Sequence, residues 1–200
     1  MAHKVVCIGR QNGAGGHIIG EALAKKLGIT FFDKNLITLA AERSGLSPEL
    51  IEHSDERKTN QWLYTALGDA ATITIDSVPH TDVTFSLQRD LIIEAARTED
   101  CVIVGRCSDS ILRSTPAKVL SVFIAAPFED RVQRKIELEG RDYKSLAPEI
   151  RKTDKRRRAY YNYNTGNEWG APENYDICLN SSLLGLDGCV ELLAMYFEKM

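Results

Sequence analysis

The residues with the clearest chemistry lie between an apolar run and a helical pattern. Val5–Ile8 is followed by Gly9 and the loop RQNGAGG, Arg10–Gly16. Beyond it Ile18, Ile19, Ala22, Leu23 and Leu27 fall on one face of a helical period. Strand, glycine loop and helix together make an anion site, because glycines admit a close backbone approach and helix N-terminal amides point at the charge. The pattern G-x-x-x-x-G-K-[ST] adds a lysine and a hydroxyl after its last glycine. Here Gly15 is followed by Gly16, His17 and Ile18, so both are missing. The backbone of Asn12, Gly13, Ala14, Gly15, Gly16, His17 and Ile18 still supplies a cradle. What is lost is the cation that would follow a transferred phosphoryl group. Arg10 and His17 are the local substitutes. The helix dipole disfavours protonated His17, so Arg10 is the better permanent charge. The plainer alternative is a tight turn that needs glycines for geometry only; three glycines in four positions favour the anion site.

Other candidates sit at strand ends or in one charged block. Asp33 ends the run Ile29–Phe32 and suits a ligand role or the N-cap of a helix from Lys34 equally well. Arg106 follows Gly105 at the end of Cys101–Val104, where an arginine in a cleft reads as an anion ligand. Residues 151–158, RKTDKRRR, hold six cations in eight positions. Helical spacing groups Arg151, Asp154, Lys155 and Arg158, with Lys152 and Arg156 on a neighbouring face. Such a block is a solvated helix face or a phosphate clamp, and the net acidity of the chain favours the clamp. The segment YYNYNTGNEWG that follows after Ala159 carries aromatics and Gly166, as a closing lid would. Nucleic-acid binding competes for a basic and aromatic stretch. It ranks lower, because the block is short and the chain's formal net charge is -3.

These groups need a scaffold, and the pattern supplies one. Apolar runs at Lys4–Ile8, Ile29–Phe32, Cys101–Val104, Val119–Ala125 and Tyr175–Leu179 read as strands. Between them helices are expected at Lys34–Arg43, from Ser47-Pro48-Glu49, and over Phe85–Arg97, Ser108–Arg113, Phe128–Leu138 and Leu186–Met200. Ile73–Ile75 alternates like a strand. Continuous apolar strands alternating with helices predict an α/β fold with a parallel sheet covered on both faces. Ligands of such sheets lie beyond the carboxyl ends of the strands, where Arg10, Asp33 and Arg106 all fall.

Two hundred residues suit one domain, and 44% hydrophobic with 26% charged residues is the composition of a globular protein. Cys7, Cys101, Cys107, Cys178 and Cys189 show no C-x-x-C spacing and an odd count, so free thiols in a reducing cytoplasm are expected rather than zinc or disulfides. No stretch reaches the length of a membrane span and no secretory pattern opens the chain, so a cytoplasmic protein is expected. Aromatics near Trp62 and Tyr64 would suit a contact between two copies.

Four stretches carry a family resemblance: GRQNGAGGHIIGEALAKKLG, FFDKNLI, VIVGRCSD, and KTDKRRRAYYNYNTGNEWGAPENYDICLNSS. Together they are specific, and the chain resembles the cytidylate kinase-like proteins, near the nucleoside monophosphate kinases, over nearly its whole length. The resemblance implies a three-layer α/β/α P-loop fold with a five-stranded parallel sheet in the order 2-3-1-4-5. It implies one domain, with core segments 1–33, 85–140 and 171–200, a helical monophosphate-binding insertion at about 34–84 and a lid at about 141–170. In cytidylate kinases the loop ends Gly-Lys-Gly-Thr, against Gly15-Gly16-His17-Ile18 here. Their strand-2 aspartate matches Asp33. Their Gly-Arg-Asp matches Gly105-Arg106-Cys107, keeping the arginine and losing the aspartate. Their lid pattern R-D-x-x-D-x-x-R matches Thr153-Asp154, Arg157 and Tyr160, keeping only the first aspartate.

The resemblance therefore implies an ATP-dependent phosphotransferase acting on a nucleoside monophosphate (cytidylate-like) or a related small phosphorylated acceptor. ATP and Mg²⁺ would be its cofactors, with no magnesium ligand identifiable. Amides of the loop would hold the donor phosphates. Arg10, Arg151, Arg157 and Arg158 would stabilise the charge in transfer, and Asp33, Arg106 and Asp154 would position the acceptor. The alternative is a binding module of the same fold that lost its chemistry with the lysine at residue 16. An RNA-binding role for the basic lid is a weaker third reading.

Overall fold

The computed structural model describes residues 2–33 and 80–200. The expected helices at Lys34–Arg43 and from Ser47, the alternation at Ile73–Ile75, most of the insertion, and the contact near Trp62 and Tyr64 lie outside the described residues. In chain order the elements are β1 (Lys4–Arg10), α1 (Gly16–Leu27), β2 (Thr30–Phe32), α2 (His80–Thr98), β3 (Cys101–Val104), α3 (Ser108–Leu112), β4 (Lys118–Ala125), α4 (Phe128–Glu139), α5 (Tyr143–Thr165), a 3-10 turn (Pro172–Asn174), β5 (Ile177–Asn180) and α6 (Ser181–Lys199).

The strands form one parallel sheet in the order β2-β3-β1-β4-β5, as expected. Alternation along β1 divides the core. Val5 and Cys7 face a cluster with Leu91 and Ile92 of α2 and Ile111 and Leu112 of α3. Val6 and Ile8 face the other cluster, with Ile19 and Leu23 of α1 and Leu193 of α6. Helices on both faces are why the strands read as unbroken apolar runs. Each fully buried isoleucine or leucine contributes roughly 1.5–3 kcal/mol. Four cysteines are buried and Cys178 is exposed, all of them free. Burial pushes the Cys101 thiol up to about 12, so it stays protonated and inert.

Three differences from the sequence reading have local causes. β1 runs two residues further, because Gly9 and Arg10 pair with Phe123 and Ile124 of β4. β5 starts later, because Tyr175 packs its ring on Phe123 (4.9 Å) and the Asp176 carboxylate accepts from the backbone and hydroxyl of Ser121 (2.7 and 2.8 Å). α6 starts at Ser181, and Gly185 (φ 71°, ψ 167°) kinks it before the periodic stretch.

The polar region after Gly140 is one long helix, α5. Asp142 caps it by accepting from Ser145 N at 2.8 Å. Its sparse apolar stripe, Leu146, Ala147 and Ile150, packs on Val132 of α4. Tyr160, Tyr161, Trp169 and Tyr175 are buried in the sheet core, and Trp169 meets Phe123 edge-on at 5.2 Å. Three of the aromatics that suggested a closing lid, Tyr160, Tyr161 and Trp169, are thus core residues, and Tyr163 is exposed.

Candidate active site

The loop between β1 and α1 is held by its neighbours through Gln11, the Asn12 amide and three of its carbonyls. Gln11 N donates to Ile124 O (3.0 Å), and Gln11 Oε1 accepts from Ala126 N (3.1 Å). Ser181 Oγ donates to Ala14 O at 2.7 Å. Arg131, on the first turn of α4, donates to Ala126 O and Asn12 O (3.1 and 2.9 Å). Arg134, almost one turn on, donates to Gly13 O at 2.6 Å. Gly13 and Gly15 adopt φ of 80° and 83°, a left-handed conformation that L side chains resist. Among the described residues no side chain caps the first turn of α1. The loop thus directs carbonyls to protein cations and leaves the amides at the start of α1 for an anion.

Asp154 of α5 completes this frame. Its Oδ1 accepts from Asn12 N at 2.7 Å and its Oδ2 accepts from Arg131 at 2.6 Å. Both side chains of the ion pair are largely buried, 8% exposed for Arg131 and 16% for Asp154. Asp154 therefore shapes the loop from behind.

The loop borders a cavity of about 430 Å³, a size that suits a small-molecule ligand. Arg10, Arg106, Arg134, Lys135 and Arg157 line it, against the carboxylates of Asp33 and Glu139. Arg10 crosses from the start of α1 to the end of β3. A Cβ on Gly16 would lie 2.6 Å from Arg10 Cβ, and one on Gly105 would collide with Arg10 Nη1. Two glycines clear the path of this one side chain. Arg157 Nη1 donates to Arg10 O at 3.3 Å, joining α5 to the same corner. Arg106 and Cys107 hold φ of 58° and 55° directly after Gly105, at roughly 1–2 kcal/mol per residue. That turn places Arg106, mostly buried, between the cavity and a recess of about 30 Å³.

The recess holds Asp109, two positions beyond the Cys107 that stands where the resemblance puts an aspartate. Tyr161 OH donates to its Oδ2 at 2.6 Å. Burial pushes the Asp109 carboxyl above the ordinary range, opposed by that hydrogen bond. The folded value exceeds the unfolded one, so Asp109 favours folding when protonated, and this contribution is lost as pH rises through the folded value. Asp109→Asn is expected to melt above the wild type at pH 7, and the difference shrinks towards pH 4. Thermal unfolding followed by circular dichroism across that range checks this, and equal melting temperatures at pH 7 would contradict it.

At the mouth of the cavity His17 Nε2 lies 2.6 Å from Asp33 Oδ2, and the His17 ring meets Phe31 edge-on at 5.3 Å. Of the two roles open to Asp33 in the sequence, the N-cap of a helix from Lys34 lies outside the described residues, and the carboxylate meets a residue of the cavity lining.

The structure brings Arg10, Asp33, Arg106, Arg157 and most of the loop to one cavity. Ala14 is buried beneath the loop. Arg151 and Arg158 do not line the cavity: the guanidinium of Arg151 lies 3.8 Å above the Phe128 ring, and that of Arg158 lies 5.8 Å from the Trp169 ring. The reason is helical phase. Ile150, Asp154, Arg157 and Tyr161 form the inward stripe of α5, so the exposed cations 151, 155 and 158 point away from it. Arg131, Arg134 and Lys135 escaped the sequence reading, which took α4 only for its apolar stripe. Their signal was cations on the first turns of a helix that starts just past a strand's carboxyl end.

Among the described residues no three His, Cys, Asp or Glu side chains group as a metal site. Glu139 is paired with Lys135 (2.6 Å) and Arg141 (3.1 Å), and Asp33 with His17. This donor set does not build a cage for Mg²⁺, which would have to enter held mainly by a nucleotide's phosphates and water.

Comparison with known proteins agrees with this fold. An uncharacterised protein from Eubacterium ventriosum is 26% identical and superposes with a TM-score of 0.72, covering 99% of this chain and 100% of its own. Shikimate kinase from Bacteroides thetaiotaomicron (18% identity, TM-score 0.55, coverage 99% of each chain) shares the fold. So does a gluconokinase from Sinorhizobium meliloti (14%, TM-score 0.54, coverage 98% and 94%). No curated protein matches the chain. The model of the cytidylate kinase-like family matches residues 5–183, and the chain, with its kinase-like P-loop fold, belongs to that family.

Proposed function

We propose that this protein is a phosphotransferase that binds the phosphates of ATP at the loop before α1 and passes the terminal phosphoryl group to a small acceptor in the same cavity. One observation carries the reading: the uncapped amides of α1 open into a cavity where Arg10, Arg106 and Arg157 converge. Phosphoryl transfer is mostly positioning and charge stabilisation, so cations from β1, β3 and α5 can do the work of a loop lysine. Arg10 is the replacement, since its stem fills the space a residue-16 side chain would need. Arg157 and Arg106 support the transferred charge and the acceptor. A cytidylate-like monophosphate is the acceptor that the family name suggests, while two proteins of the same fold are named for shikimate and gluconate kinases.

The missing lysine and hydroxyl favour a second reading, a nucleotide-binding module without turnover. Calorimetry with ADP and ATP, beside a coupled assay with ATP, Mg²⁺ and each nucleoside monophosphate, shikimate or gluconate, separates the two. The phosphotransferase reading expects binding and turnover. Binding with no turnover of any acceptor, water included, would leave the second reading standing.

A further inference from the structure

His17 and Asp33 form a pair that phosphate binding does not use. Asp33, at the end of β2, is 15% exposed, and His17, on the first turn of α1, is 48% exposed. Both line the cavity beside the loop. With Oδ2 accepting from Nε2–H, the imidazole lone pair sits on Nδ1. A carboxylate that orients an imidazole and supports its protonated form is how a general base is built.

A monophosphate acceptor has no use for such a base, because its oxygens are largely ionised at neutral pH (second pKa about 6). A hydroxyl acceptor does, since its proton must leave as the new bond forms. Among the described residues, the other charged groups facing the cavity are Arg10, Arg106, Arg134, Lys135, Arg157 and Glu139. Arginines do not deprotonate in proteins, and Lys135 and Glu139 are paired with each other.

Building on the phosphotransfer reading, we infer that the phosphoryl acceptor is a hydroxyl group and that His17, oriented by Asp33, is the base that takes its proton. The hydroxyl oxygen attacks the terminal phosphorus of ATP with a lone pair. The bond from that phosphorus to the bridging oxygen breaks, and its electron pair stays on ADP. The hydroxyl proton moves to His17 Nδ1, and the imidazolium is neutralised by Asp33. The solvent-exposed side of His17 then releases the proton, so the products are a phosphate monoester, ADP and H⁺.

Water is itself an O–H acceptor, so slow ATP hydrolysis reports the base before the natural acceptor is known. The experiment measures ADP affinity by calorimetry, ATP hydrolysis across pH, and transfer to CMP, UMP and AMP against shikimate, gluconate and glycerol. Wild type, His17→Gln and Asp33→Asn are compared, with melting curves to confirm folding. Hydrolysis in His17→Gln is expected to fall about 100-fold and to lose its acid limb, with ADP affinity unchanged within twofold. Asp33→Asn keeps the limb at a reduced rate, and an alcohol outcompetes every monophosphate. If His17→Gln keeps the wild-type rate and pH profile, or only monophosphates are phosphorylated, the hydroxyl inference falls and phosphotransfer stands. ADP binding without hydrolysis or transfer, or no ADP binding at all, overturns the phosphotransfer reading and this inference with it.

Discussion

Arg10→Ala is expected to lower phosphoryl transfer by about 1,000-fold, the scale of an arginine that stabilises the charge on a transferring phosphoryl group. The rate is read as ATP hydrolysis or as transfer to an acceptor, with ADP affinity measured in parallel. The geometry adds a sharper expectation. Arg10 Cβ and Cγ lie 2.6 and 2.9 Å from where a Cβ at residue 16 would stand. Gly16→Lys in the wild-type background therefore restores nothing: the two stems collide, at about 1–3 kcal/mol of overpacking, and the rate falls. In an Arg10→Gly background, which also removes the Cβ that the lysine's own Cβ would meet, the same lysine has room, and the double variant is expected to recover at least tenfold over Arg10→Gly. A double variant no better than the single one would show that Arg10 does not stand in for the lysine. Wild-type rates in Arg10→Ala would remove it from the mechanism.

Asp154→Ala is the largest expected loss of stability, about 3 kcal/mol. It leaves the Arg131 guanidinium buried without its carboxylate and the Asn12 amide without its acceptor. For a chain of this size the melting temperature falls by roughly 6–12 °C. Urea unfolding gives the free energy, and the same variant loses ADP affinity because the loop is no longer held. Arg151→Ala, three residues earlier on the same helix, stays within about 0.5 kcal/mol, since its side chain lies on the exposed face against Phe128. These outcomes separate two roles for Asp154. An acceptor ligand would change KM and leave the melting temperature alone; a residue that shapes the loop moves both stability and nucleotide affinity.

How much of this was legible beforehand depended on how local the cause was. The strands at Cys101–Val104 and Val119–Ala125 could be read almost to their ends, because burial on both faces leaves an unbroken apolar run. The long helix Tyr143–Thr165 was hidden, because its five buried residues, spread over 23 positions, are lost among lysines and arginines. Arg157 and Arg158 are neighbours of identical chemistry, and only the phase of α5 against α4 sends one to the cavity and the other to Trp169. Asp109 lay beyond the reach of motif matching, since its place in the recess comes from two successive left-handed residues before it.

The sequence by itself determined the parallel sheet, the anion loop, and the absence of a lysine and a hydroxyl where such loops carry them, for these follow from periodicity and residue type within a short window. Tertiary structure alone decided what replaces them. Arg10 fits because Gly16 and Gly105, distant in sequence, both leave it space. The loop keeps its shape because Asp154 and Arg131 meet behind it. His17 finds Asp33 because β2 ends beside the start of α1. Each is a contact between elements packed on one sheet, and side-chain directions there are set by the packing, which no local pattern of residues records.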